Sequence, residues 1–103
     1  MSSIDTIRAA LPEPELLVQL AEEGGELVQA ALKLRRCIVR INPTPVTYEV
    51  AEANLIEELA DIRLVAEVLD RWNKKINEID SIAAQKMTRW ESRLEEIGHV
   101  AEQ

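Results

Sequence analysis

The chain contains no phenylalanine, three glycines, one cysteine, one histidine and only 3% aromatic residues. Each shortage excludes something. A lone thiol, Cys37, forms no internal disulfide, which suits a reducing compartment and marks Cys37 as a small core or interface residue. His99, close to the end of the sequence, does not supply the paired Glu-x-x-His motifs of a di-iron carboxylate bundle. Twelve Lys and Arg against nineteen Asp and Glu leave a formal net charge of −7, so the basic footprint of a DNA- or RNA-polymer binder is missing. No segment approaches the ~20 consecutive apolar residues of a membrane span. The opening MSSIDTIRAALPEPE carries early acids and no long apolar stretch, unlike a signal peptide. Phosphate-cradling glycine loops, nucleophile elbows and zinc-ligand clusters are missing too. These absences predict a cytoplasmic protein with no membrane and no nucleic-acid polymer as partner.

What remains is rich in Ala, Leu, Glu and Ile, 47% hydrophobic and 30% charged over 103 residues. That composition favours helices and one globular all-α domain over 1–103. The first ten residues suit a short helix capped by Ser3 or Asp5 and ended by Pro12 and Pro14. From Glu15, Leu16, Leu20, Gly24, Leu27, Ala31, Leu34, Ile38 and Ile41 recur every three or four positions, predicting a helix of about seven turns. Gly24 and Gly25 within it cost about 1 kcal/mol each relative to Ala. They point to close approach by a backbone or ligand, or to tight helix packing. Asn42-Pro43-Thr44-Pro45 must break that helix, and Thr44 or Thr47 can cap the next. The second long helix is predicted from about Tyr48 to Asn73 on the stripe Ala51, Leu55, Leu59, Ile62, Ala66 and Leu69. A turn at Trp72-Asn73-Lys74-Lys75 precedes a third, from near Asn77 to about Ile97, with Ile79, Ala83, Met87 or Lys86, Trp90, Leu94 and Ile97 in register. The tail after Gly98 is expected to fray. Stripes this wide predict a homodimer or homotetramer that completes a four-helix bundle.

Two acidic blocks interrupt those stripes: EEGGEL, Glu22 to Leu27, and EELADI, Glu57 to Ile62. Glu23 and Glu26 stand three apart, as do Glu58 and Asp61, which puts each pair on one helix face with roughly 5–6 Å between β-carbons. Projection at 100° per residue sets Glu23 at the edge of its stripe, beside Gln19, Ala30 and Lys33, and Glu58 within its own. Glu22 and Glu57 point further towards solvent. A charge on an apolar face is costly unless something pairs with it, and the i+4 neighbours of Glu26 and Asp61 are Ala30 and Val65. Four carboxylates on facing helices form a hard oxygen-only set suited to Mg2+, with Mn2+ as the substitute. The competing reading is an acidic face that merely solvates a non-enzymatic helical interaction module.

Lys86, Arg89 and Arg93, at i, i+3 and i+7, form a basic line suited to phosphate oxygens. Pairing with Glu91, Glu95 or Glu96 is their alternative. Lys33 and Asn54 are further substrate-binding candidates. Trp72, Trp90 and Tyr48 are candidates for stacking on a base, although Trp90 sits on an apolar stripe and suits a core or interface better.

Glu23-x-x-Glu26 and Glu58-x-x-Asp61 on successive helices, followed by a basic helix, resemble the MazG-like all-α nucleoside triphosphate pyrophosphohydrolases. The flanks LAEEGGELVQAALKLRR, NPTPVT, NLIEELADI and KMTRWESRL look like the short single-domain members. The resemblance spans about Leu16 to Leu94, with residues 27–57 forming a long separation between the motifs. It implies a dimeric or tetrameric helix bundle in which Glu23, Glu26, Glu58 and Asp61 ligate magnesium. It also implies hydrolysis of a nucleoside triphosphate between the α- and β-phosphates, giving a monophosphate and pyrophosphate. Glu22 and Glu23 become the catalytic candidates, Glu22 as an outer acid or water-orienting base. A phosphoribosyl-ATP pyrophosphohydrolase shares the superfold and stands as a further alternative.

Overall fold

The computed structural model describes residues 2–69 and 75–102, the side chains of 99–102 excepted. Among the described residues there are four helices and no strand: α1 (Ser3–Ala10), α2 (Glu13–Val39), α3 (Tyr48–Leu69) and α4 (Lys75–Glu102). The chain divides into two units, Met1–Arg71 and Trp72–Gln103. The first holds α1, α2 and α3; the second holds α4. The expected turn at Trp72 to Lys75, the end of the second long helix at Asn73 and the side chains of Trp72 and His99 lie outside the described residues. No described helix is long and apolar enough to cross a membrane.

Local chemistry sets the helix ends. Ser2, rather than Ser3 or Asp5, caps α1: its hydroxyl accepts from the Asp5 N–H at 3.2 Å, and the Asp5 carboxylate accepts from the Ser2 backbone N–H at 3.4 Å. This reciprocal pairing satisfies two otherwise orphaned donors. Pro12 is the N-cap of α2 and Pro14 falls in its first turn, where a missing N–H costs nothing. α2 stops at Val39, two residues short of Ile41, because Arg40 turns left-handed at φ 57° and donates its N–H to the Arg36 carbonyl at 2.9 Å. Thr47 opens α3, its hydroxyl accepting from Val50 N–H at 3.3 Å and its carbonyl from Ala51 N–H at 3.0 Å. α4 begins at Lys75 and runs through Gly98 to Glu102, beyond the expected end near Ile97.

α2 and α3 form an antiparallel hairpin. Cys37, buried near the end of α2, donates its thiol to the Val46 carbonyl just before α3, while Glu23 and Glu26 meet Glu58 and Asp61 further from the connection. Among the described residues the buried side chains are small or medium-sized: Leu16, Ala30 and Cys37 on α2, and Ala51, Val65 and Val68 on α3. Leu16, Ala30 and Cys37 are separated by multiples of seven, as are Ala51 and Val65, the period of a coiled-coil seam. The interior line of α2 therefore passes through Ala30 and Cys37 and leaves Ala31 and Ile38, chosen from the stripe, exposed. α1 is tied to the far end of the hairpin by Arg8, whose Nε and Nη2 donate to the carbonyls of Val68 and Glu67, both at 2.8 Å. Those carbonyls belong to the last turn of α3, where backbone acceptors lack helical partners and a cation is favoured.

Neither glycine of α2 is demanded by packing. A β-carbon built on Gly24 or Gly25 meets nothing within 4 Å. Among the described residues, no backbone or neighbouring helix makes the expected close approach at this pair.

Candidate metal centre

The seven-residue seam explains why the acids matter. Glu23 falls midway between Leu16 and Ala30, and Glu58 midway between Ala51 and Val65. Each helix therefore carries one carboxylate at a position its neighbours fill with buried apolar groups. Projection at 100° per residue sets Glu23 at a stripe edge, but it is half-buried on the seam itself, and the period of seven is the signal that finds it.

One oxygen from each of Glu23, Glu26, Glu58 and Asp61 lies within 4.8 Å of all the others. Glu26 is exposed and the other three are half-buried. Glu23 Oε1 accepts from the Gln19 side-chain amide at 2.8 Å, one helical turn away, which fixes the carboxylate. Its second oxygen, and Oε2 of Glu58, are shielded from solvent and accept no hydrogen bond. None of the four takes part in an ion pair among the described residues. Two shielded acceptors, one on each helix, are thus left without a donor, which costs free energy as it stands.

The Glu58 pKa is raised. Desolvation is the largest cause, followed by hydrogen bonding with the Glu26 carboxyl and the negative charges of Glu26, Asp61 and Glu23. A bond between two carboxyls forms only when one holds a proton, so with both ionised the pair is repulsive. Either a proton or a cation relieves it. The donor set, oxygen only and multiply anionic, matches hard divalent ions and excludes soft, thiolate-seeking ones.

The remaining candidates distribute as follows. Glu22 and Glu57 are exposed and stand outside the four-acid group. Lys33 and Asn54 do come together: with Val46, Val50, Ala51, Ala53 and Glu57 they line a cavity of about 400 Å³. Asn54 is one turn from Glu58 along α3. Lys86, Arg89 and Arg93 share one face of α4 with Trp90. None of the three basic residues pairs with Glu91, Glu95 or Glu96 among the described residues. Trp90 is 63% exposed, and Ile79, Met87, Leu94 and Ile97 of the same α4 stripe are exposed with it. Tyr48 is exposed, with its pKa raised by a hydrogen bond to Glu52 and the charges around it. Cys37 behaves as the expected core residue.

The chain matches no protein-family model, and neither a curated protein nor a solved structure matches it.

Proposed function

We propose that the chain is a Mg2+-dependent nucleoside triphosphate pyrophosphohydrolase of the MazG-like kind, with Mn2+ as an alternative ion. The observation that carries this reading is the pair of shielded, unpartnered carboxylate oxygens on Glu23 and Glu58, one per helix, inside a group of four acids. A solvated acidic face has no reason to shield two acceptors from both water and donors; a cation-holding group does.

Glu23, Glu26, Glu58 and Asp61 would hold the ion, with Gln19 orienting Glu23. The cation supplies charge neutralisation toward phosphate oxygens and acidifies water at the reacting phosphorus. Glu22, exposed and next to Glu23 in α2, would serve as an outer acid orienting that water. The cavity between Lys33 and Asn54 offers a cation, an amide and apolar walls beside the acids, suited to the nucleoside end of a substrate. Lys86, Arg89 and Arg93 carry the charge needed to steady departing pyrophosphate.

The same reading includes assembly. Leu17, Val28, Leu32, Ile56, Leu59 and Leu64 in the first unit, and the stripe of α4, expose large apolar side chains. Surfaces of this kind are covered by association, and a homodimer or homotetramer completing a helical bundle is the proposed form. A helical interaction module would assemble in the same way, so assembly does not separate the two readings. Turnover does. A pyrophosphate-release screen over canonical and modified nucleoside triphosphates with Mg2+ is expected to find a substrate. Glu58→Gln and Asp61→Asn should each abolish release while light scattering shows the wild-type mass. Wild-type rates in those variants would refute the assignment.

A further inference from the structure

A second cleft lies at the other end of the α2–α3 hairpin, lined by Arg36, Cys37, Arg40, Pro43, Thr44 and Val46, with a volume of about 280 Å³. Its charge is the inverse of the acidic group. From Leu27 to Tyr48 the sequence has no Asp or Glu, in a chain that carries nineteen, and Lys33, Arg35, Arg36 and Arg40 fall inside that interval. Arg36, in the last turn of α2, and Arg40, the left-handed residue that ends it, both line the cleft, where like charges repel unless an anion joins them. Neither forms an ion pair among the described residues.

The cleft is also held in shape. Arg40 is the one described non-glycine residue with positive φ, at the helix-end position that glycine usually fills, and a side chain there costs roughly 1 kcal/mol. Strain of this kind persists where surrounding contacts enforce it. Here Arg40 donates its N–H to the Arg36 carbonyl at 2.9 Å and its Nε to the Cys37 carbonyl at 3.2 Å. These bonds engage two carbonyls that would otherwise oppose an anion at a helix C-terminus. The thiol of Cys37 pins the opposite wall through Val46 at 3.3 Å, and Pro43 and Pro45 stiffen the connection.

We propose that this cleft binds the phosphate group of a small molecule, held by the guanidinium groups of Arg36 and Arg40 with the Thr44 hydroxyl as a further donor. Arginine forks match phosphate oxygens in geometry as well as charge. The site is separate from the four acids: Arg36 lies ten residues beyond Glu26 on α2, about 15 Å along the axis. It does not depend on their holding a metal.

The test is an NMR titration of the full chain with inorganic pyrophosphate, and separately with a nucleoside monophosphate, both in EDTA so that the acids take no part. Saturable shifts are expected at the Arg36 and Arg40 Nε–H and the Thr44 amide. Arg36→Gln should weaken binding by about ten-fold or more. Arg40→Gly, which removes the guanidinium while relieving the left-handed strain, should weaken it as much and keep the wild-type melting temperature. Response to both probes assigns a nucleotide phosphate; response to pyrophosphate alone assigns a free polyphosphate. No saturable shift up to millimolar probe, shifts centred instead on Lys86, Arg89 and Arg93, or wild-type affinity in both variants would overturn the proposal.

Discussion

Glu58 concentrates the physics of this molecule in one side chain. It occupies a seam position between Ala51 and Val65, and burial raises its pKa before any neighbouring charge is counted. The folded chain therefore holds the Glu58 proton to higher pH than the unfolded chain does. For such a group, stability without metal falls as pH rises from the ordinary carboxylate range through the raised value, and stays lower above it. Glu58→Gln cannot ionise. In EDTA it should melt above the wild type at neutral pH, with the gap closing as pH drops below the ordinary carboxylate range. A wild type as stable as the variant at neutral pH would show that the Glu58 charge carries no such cost. Gly25 makes a plainer case at the same scale. It is exposed within α2 and nothing stands where a methyl group would go. Gly25→Ala should raise stability by about 1 kcal/mol in denaturant melts; an unchanged or lowered midpoint would mean that an assembly partner uses that space.

At the scale of elements, the helices and their breaks follow from local signals: stripe period, the prolines at 43 and 45, and Thr47 ahead of Tyr48. The pairing of the two acidic blocks was legible for the same reason, since the i, i+3 spacing and the interrupted stripes are both local. What was not legible came from contacts distant in sequence. Arg8 reads as an ordinary charge near a helix end, yet it closes the last turn of α3 sixty residues away. Arg8→Ala should leave those carbonyls to water and cost roughly 1.5 kcal/mol. Hydrogen exchange should rise first in the last turn of α3, and uniform exchange across the hairpin would contradict that role. The α2 seam is hidden in the sequence for a related reason. A stripe drawn through the larger residues follows Ile38 and Ile41, whereas antiparallel packing buries the small Ala30 and Cys37, which let the helices approach. Reading α2 by sevens instead of by size places Glu23 in the interior.

At the scale of the molecule, the buried apolar side chains among the described residues are six of small or medium size, while many larger ones are exposed in both units. That imbalance motivates the proposed assembly, while the hairpin of α2 and α3 brings the four acids together within one chain. The proposed function rests on this acidic group being a cation site. Melting of the full chain in saturating Mg2+ or Mn2+, against EDTA, tests it most directly. At 100 times the dissociation constant a bound ion adds about 2.7 kcal/mol. The wild type should therefore melt several degrees higher with metal, and Glu58→Gln should lose that rise. Identical wild-type curves with and without metal, or an equal rise in the variant, would contradict the claim.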